Sequence, residues 1–180
     1  MKIRQHGFTL IELLVTVALM GVLVSLAAPS FRSMLVKRSM QAAAESLVGD
    51  MRYARSVALK RSTRTVICRS TNGTGCSTVT GSWDVGWIVF VDMNSNDTID
   101  SGDEIVRVQQ ALSNVASIQD DGTPASTLKL FKFEPTGWAK SASQTFNFTP
   151  TGSVPSGSTR LVCISNTGRA SLRAQSDTSC

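Results

Sequence analysis

The sequence predicts an α+β protein: a long N-terminal α-helix, membrane-spanning in its first half, packed on a C-terminal antiparallel β-sheet globular domain. Three observations carry that expectation. An almost unbroken apolar run extends from Phe8 to Ala28. Apolar residues then recur three to four apart as far as about Lys60. From Thr63 the composition shifts to β-branched and aromatic residues punctuated by Gly, Asn, Ser and Pro.

The run from Phe8 to Ala28 is 21 residues, long enough to cross a bilayer. Lys2 and Arg4 precede it and predict a cytoplasmic N-terminus. A cleaved secretory signal is the rival reading. It requires a small-residue cleavage site after the apolar run, and Ala27-Ala28-Pro29 is a weak version of one. It also leaves Glu12 unexplained. An ionised side chain in hydrocarbon costs about 2.5 kcal/mol or more, so a chain that keeps one there has a partner for it.

After Pro29 the pattern becomes amphipathic. Met34, Met40, Ala44, Leu47, Met51, Ala54 and Ala58 alternate with Arg32, Lys37, Arg38, Arg52, Arg55 and Lys60. The simplest reading is one helix from about Phe8 to Lys60, kinked near Pro29, with Gly21 and Gly49 as further weak points. Its first half must find lipid or other helices. The expected organisation is a leader at 1–7, a transmembrane and assembly half of the helix at 8–28, an amphipathic half at 29–61, and a β-rich head at 62–180.

Within the head, strands are expected near 63–69, 86–92, 104–110, 127–133, 144–149, 159–165 and 169–174. Phe131-Lys132-Phe133-Glu134-Pro135-Thr136-Gly137 and Phe146-Asn147-Phe148-Thr149-Pro150-Thr151-Gly152 are two similar segments, each a strand closed by a Pro-Thr-Gly turn. Two copies are too few for a solenoid, and they read as strands of an antiparallel sheet. Trp83, Trp87 and Trp138 read as packing residues, with no stacking platform for single strands.

Four cysteines, an even number, favour disulfides in an exported chain. Cys68 and Cys76 flank a turn-rich loop, and Cys163 and Cys180 would close a C-terminal one. Zinc is the alternative, but no spacing resembles a paired Cys-x-x-Cys site. The compartment implied is periplasmic or extracellular. Net charge is +5. Loss of Lys2 and Arg4 would leave sixteen basic against thirteen acidic side chains, or +3, which permits nucleic-acid binding without demanding it. The single histidine, His6, lies in the leader. With no imidazole beyond it and no nucleophile motif, a membrane-anchored enzyme is disfavoured and no cofactor is implied.

Gly7-Phe8-Thr9-Leu10-Ile11-Glu12 resembles the processing site of type IV prepilins and type II secretion pseudopilins. The resemblance implies that a prepilin peptidase cuts after Gly7 and methylates the amine of Phe8. It also implies that Glu12 docks each subunit, through a salt bridge to the α-amino group of a neighbour's Phe8. Further along, Arg52-Tyr53-Ala54-Arg55-Ser56-Val57-Ala58, Gly86-Trp87-Ile88-Val89-Phe90-Val91-Asp92, Phe148-x-Pro150-x-Gly152 and Gly168-Arg169 resemble the GspH/FimT branch of pilin-like proteins. That branch often has an acid where Val57 stands. The expected role is a minor type IV pilin supporting pilus assembly, with DNA capture as an optional addition. The alternative is a GspH-like pseudopilin of a type II secretion system. Expected partners are other pilins or pseudopilins through the N-terminal helix, the prepilin peptidase, the inner membrane and double-stranded DNA. The location implied is the inner membrane, single-pass with a periplasmic head, and then the pilus fibre.

Two further segments carry site expectations. FimT-type pilins bear a Gly-Arg-x-Arg element that contacts DNA. Here Gly168 and Arg169 match, Ser171 replaces the second arginine, and Arg173 follows two residues later. On an extended strand Arg169 and Arg173 share a face about 13 Å apart. Arg160, Lys129, Lys132 and Lys140 are candidates to enlarge the patch. The alternative for Arg169 and Arg173 is two solvated arginines after a turn glycine, guarding an edge strand. Arg52, Arg55, Lys60, Arg61 and Arg64 read instead as facing solvent or neighbouring subunits. The segment Asp92–Glu104 places Asp92, Asn94, Asn96, Asp100 and Asp103 at EF-hand ligand positions. Asp97 stands where glycine is usual, and no flanking helices are predicted, so a plain hairpin loop is preferred to a calcium site.

Overall fold

The computed structural model describes residues 8–79, 81–120, 130–140, 144–152 and 157–173, with only the backbone of Pro29. Helix α1 spans Leu10–Arg61, 52 residues, and its helical assignment continues through Gly21, Pro29 and Gly49. The chain divides into two compact units, one ending at Leu35 and one beginning at Val36.

In the first unit the large apolar side chains of α1 are exposed: Leu10, Ile11, Leu13, Leu14, Val17, Leu19, Met20, Leu23 and Leu26 among them. This part of the helix has a mean hydropathy of 2.5 and is long and apolar enough to cross a membrane.

The second unit holds the whole described core. Its described residues include the rest of α1 and eight strands: β1 (Arg64–Arg69), β2 (Trp87–Asp92), β3 (Glu104–Gln109), β4 (Val115–Asp120), β5 (Leu130–Phe133), β6 (Gln144–Pro150), β7 (Arg160–Ile164) and β8 (Ala170–Arg173). A short 3-10 turn, Trp83–Val85, precedes β2. The strands form two antiparallel four-stranded sheets, ordered β3-β2-β1-β5 and β4-β6-β7-β8.

The helix explains why both sheets share one core. Met40, Ala44, Leu47, Met51, Ala54 and Ala58 recur at alternating steps of four and three, and all are fully buried. Small alanines along that stripe let strands approach closely. The same cluster takes Ile67, Trp87, Val89, Phe131 and Phe133 from the first sheet and Ile118, Phe146, Phe148, Val162 and Ile164 from the second. The outer face of the first sheet has its own small cluster of Val66, Cys68, Ile88 and Phe90, covered by Cys76, Ile99, Ile105 and Leu130. Hence β1 and β2 read as continuous apolar runs rather than alternating ones.

A buried acid ties helix to sheet. Asp50 is 3% exposed. It accepts hydrogen bonds from Trp87 Nε1 at 2.8 Å and from Arg107 Nε at 2.8 Å. The Arg107 guanidinium also lies 5.2 Å above the Tyr53 ring centroid.

Three expectations require correction. The sequence pattern yields seven strands, and β4 is an eighth. Its register against β6 shifts between Val115 and Ser117. That irregularity leaves Val115 and Ile118 three apart, and period-two alternation is lost. The two Phe-x-Phe-x-Pro-Thr-Gly segments do not share a sheet, since β5 belongs to the first and β6 to the second. Trp83 and Trp87 are fully buried, whereas Trp138 is 59% exposed.

Cys68 and Cys76 are joined by a disulfide. Cys163 is also disulfide-bonded. Gly7, Lys129 and Cys180 lie outside the described residues.

Candidate functional site

The N-terminal site begins one residue before the helix. Thr9 N–H donates to Glu12 Oε2 at 2.9 Å, and Thr9 Oγ1 donates to the same oxygen at 2.9 Å. Glu12 N–H donates to Thr9 Oγ1 at 3.3 Å. This is a capping box: residues three apart satisfy each other's otherwise unpaired main-chain N–H groups at the start of a helix. The pattern Thr9-Leu10-Ile11-Glu12 is legible in the sequence, yet the family resemblance points only to an assembly role for it. Both contacts fall on Oε2. Among the described residues, Oε1 of Glu12 accepts no hydrogen bond. Phe8 is 88% exposed beside it.

The second site is a groove of about 840 Å³ in the head. One side is the last turns of α1, with Arg52, Arg55, Ser56 and Leu59. The other is β7, β8 and the loop between them, with Cys163, Ser165, Gly168, Arg169, Ser171 and Arg173. Four arginines line it, and among the described residues that line it there is no carboxylate.

The sequence positions these arginines through simple alternation. In β8, Ala170 and Leu172 turn to the core, so Arg169, Ser171 and Arg173 share the outer face. Arg169 is exposed, and among the described residues no hydrogen bond or ion pair engages its guanidinium. On the helix, Arg52 and Arg55 are three apart and so lie on one face. Arg52 Nη2 donates to the Ala170 carbonyl at 3.2 Å, and Arg55 Nε donates to the Gly137 carbonyl at 3.0 Å. These bonds hold the guanidinium groups beside the strand while leaving their other N–H donors for a ligand.

Gly168 makes the close approach possible. Its φ is +75°, and a Cβ there would lie 2.5 Å from the Gly137 carbonyl oxygen and 3.3 Å from Arg55 Cδ. The loop therefore packs backbone to backbone against the Pro135-Thr136-Gly137 turn, and Ala139 N–H donates to the Asn166 carbonyl at 3.0 Å.

The remaining basic candidates lie elsewhere. Arg160 does not line the groove: its Nε donates to Gln41 Oε1 at 2.9 Å, and its Nη1 to the Gly157 and Thr159 carbonyls at 2.8 Å each. Lys132 pairs with Asp97 on the first sheet, and Lys140 lies 3.7 Å from Glu134. Arg61 pairs with Glu104, and Arg64 with Asp97 and Glu134. The helix cluster Arg52–Arg64 thus splits. Its first two arginines line the groove, whereas Arg61 and Arg64 pair with acids. Helical spacing makes Arg52 and Arg55 visible as a pair, but their meeting with residues more than a hundred positions later is not written in it.

The acidic loop is closed on itself. Asp92 accepts from Asn96 N–H at 3.1 Å and Asp97 N–H at 3.0 Å, and Asp103 accepts from Met93 N–H at 2.9 Å and Asp100 N–H at 3.0 Å. The Asn94 and Asn96 side-chain amides donate to Asp100 Oδ2 at 2.6 and 2.9 Å. The Gly102 N–H first, and these two amides after it, hold the Asp100 carboxyl below its ordinary range. Ser95 and Asp97 adopt φ of +62° and +66°, and Asp97 turns outward to Arg64 and Lys132. Among the described residues no group of acidic, His or Cys side chains is arranged to hold a metal ion.

Comparison with known proteins identifies the family and the fold. The family profile described as "Type II transport protein GspH" matches residues 43–168, and that of the "Prokaryotic N-terminal methylation motif" matches residues 2–28. Pilin-like protein PilA1 of Thermus thermophilus is 31% identical over 170 residues, covering 93% of this chain and 98% of that protein. Among solved structures, the type IV minor pilin FimU of Pseudomonas aeruginosa aligns with a TM-score of 0.59 at 21% identity, over 79% of this chain and 96% of that one. The minor pseudopilin EpsH of the Vibrio cholerae type 2 secretion system aligns with a TM-score of 0.52 at 12% identity, over 77% of this chain and 99% of that one.

Proposed function

The chain belongs to the GspH family, a family of structural pilins and pseudopilins rather than of enzymes, and from that premise we propose that it works as a minor type IV pilin. In this reading it enters the inner membrane through residues 8–28 with its head in the periplasm. A prepilin peptidase cuts after Gly7 and methylates Phe8, and the subunit joins the fibre beside other pilins. The observation that carries the reading is a methylation motif at 2–28 on a chain that is 31% identical, over 93% of its length, to a protein described as pilin-like.

Glu12 is then the docking acid. Its Oε2 caps its own helix through Thr9, and its Oε1 is open to the α-amino group of a neighbour's Phe8. Opposite charges brought together in low dielectric attract strongly, and an unpaired acid there is penalised. Glu12→Gln separates the two roles, because it keeps a capping acceptor and removes the charge. The expected result is a normally cleaved precursor that no longer enters filaments. Normal incorporation would refute the docking role.

We extend the proposal to DNA. Four arginines, with no acid among the described lining residues, suit a phosphate backbone, since guanidinium groups bind phosphate with two parallel hydrogen bonds. Titrating duplex DNA into the full chain in neutral detergent at several salt concentrations tests this. Log affinity should fall linearly with log salt, by about 0.9 per phosphate contact, and the slope should shrink by about one contact in Arg169→Ala. No binding at low salt would remove the DNA role and leave the filament role standing.

A second reading, a pseudopilin of a type II secretion system, is favoured by the description of the GspH family and by the likeness to EpsH. Deleting the gene distinguishes the two. Loss of surface pili with secretion intact supports the first, and loss of secretion of folded proteins supports the second.

A further inference from the structure

Trp138 is the one aromatic side chain of the described head with more than half of its surface exposed. Trp83, Trp87 and the head phenylalanines Phe90, Phe131, Phe133, Phe146 and Phe148 are all fully buried. A single exposed indole needs no explanation by itself, and what lies beside it decides what it can do.

Its place in the chain gives those surroundings. Trp138 is bracketed by two residues tied to the arginine groove. On one side, the Gly137 carbonyl accepts the Arg55 Nε hydrogen bond at 3.0 Å and packs against Gly168. On the other, Ala139 N–H donates to the Asn166 carbonyl at 3.0 Å. Ala139 is buried and bridges to Phe133, so its predecessor Trp138 turns to the outside. Leu59, which lines the groove and is 48% exposed, touches the same turn: a Cβ on Gly137 would lie 3.0 Å from Leu59 Cδ2. The turn that carries the exposed Trp138 therefore abuts three residues that line the groove, Arg55, Leu59 and Gly168.

We propose that this groove takes single-stranded nucleic acid, with the arginines on the phosphates and Trp138 as the platform on which an unpaired base stacks. The inference rests on the reading of the groove as a phosphate site, and it adds a ligand class to that reading. Duplex bases are already stacked on one another and present no free face to an indole. A single strand does, and tracking by cations with stacking on aromatic rings is the physical basis of sequence-tolerant single-strand binding. The alternative occupant of Trp138 is a neighbouring filament subunit, and filament incorporation of a Trp138 variant separates the two.

The experiment uses the full chain in neutral detergent with three probes: an oligo-dT of about 12 nucleotides, a duplex of the same length, and an abasic sugar-phosphate chain of that length. Trp83 and Trp87 are sealed in the core, so fluorescence quenching by the oligonucleotide reports Trp138. The expected result is quenching by oligo-dT but not by the abasic chain. Trp138→Ala should weaken oligo-dT binding by about 5- to 100-fold, with a smaller loss on duplex, and Trp138→Phe should recover most of it. Arg169→Ala should weaken all three probes. If duplex binds with the expected salt slope while oligo-dT neither quenches nor exceeds the abasic chain, the stacking inference fails and the phosphate groove survives. If no probe binds at low salt, both fail. If Trp138→Ala abolishes filament incorporation and leaves oligo-dT affinity unchanged, the indole contacts a neighbouring subunit and the inference is overturned.

Discussion

Gly168 offers a sharp test of how the groove is built. Its backbone is left-handed at φ +75°, and an added Cβ would meet the Gly137 carbonyl oxygen at 2.5 Å and Phe133 Cε1 at 3.1 Å. Gly152 is left-handed too, at φ +81°, but a Cβ there meets nothing within 4 Å. Replacing each by alanine separates two effects. Both variants force an L-residue into the left-handed region, which costs about 1–2 kcal/mol. Both regain about 0.4–1 kcal/mol by restricting the unfolded chain. Only Gly168→Ala adds a collision with main chain, which cannot swing aside as a side-chain tip can, and overpacking of that kind costs about 1–3 kcal/mol. The difference between the two variants is therefore the collision alone. For a head of this size it corresponds to a melting temperature lower by about 2–12 °C in Gly168→Ala than in Gly152→Ala. The assay is thermal unfolding of a soluble fragment beginning at Ser30, followed by circular dichroism. If the two variants melt together, the backbone contact between Gly168 and Gly137 does not hold the loop, and the account of how Arg55 and Arg169 are brought together is wrong.

Two further outcomes are expected of the head. Asp50→Ala removes the acceptor of the buried Trp87 N–H and one partner of Arg107, so it should destabilise the fragment by about 2–4 kcal/mol in urea unfolding, while Asp50→Asn, which retains an acceptor, should lose less. Lowering pH should leave stability level down to about pH 5 and reduce it as pH falls through about 4 and below. Hydrogen bonds from Gly102, Asn94 and Asn96 lower the Asp100 pKa, and the Arg61 contact lowers that of Glu104. A depressed carboxyl contributes above its unfolded pKa, and that contribution is lost on protonation. Unchanged unfolding at pH 3 would refute this for both groups.

Periodicity makes some of this molecule legible in advance. Met40, Ala44, Leu47, Met51, Ala54 and Ala58 all appear on the buried stripe, because burial of one helix face is a local constraint written at fixed spacing. β4 escapes for the opposite reason, since its register shift moves its two apolar anchors out of alternation. Nothing in the spacing of Arg52 and Arg55 links them to Arg169 and Arg173, because only the packing of β8 beside the helix brings them together. Composition alone places Trp138 in the core. Its exposure depends on which neighbour, Ala139, turns inward, and no spacing rule states that for an irregular turn. Asp50 escapes the sequence reading, although an acid on an otherwise apolar helical stretch is a visible signal for a buried partner.

The division of the chain bears on why a single acid in the apolar half should matter. Every described core residue lies at or after Met40, within the second unit. The first unit exposes nearly all of its apolar side chains on its own. Burying each Leu, Ile or Val is worth about 1.5–3 kcal/mol relative to water, so this surface is always covered. Lipid tails and neighbouring helices are about equally apolar, so exchanging one for the other changes the hydrophobic free energy little. On the pilin reading, the hydrophobic contribution to the step from membrane to fibre is then nearly balanced, and weaker interactions decide it. An unpaired acid in hydrocarbon carries a penalty of about 2.5 kcal/mol or more, and on the same reading a neighbour's ammonium group would relieve it for Glu12 only in the fibre. A free energy of that size shifts a two-state equilibrium by roughly 70-fold per subunit. A balanced apolar exchange thus gives one charge the deciding weight, and removing the charge should affect assembly far more than it affects folding or membrane insertion.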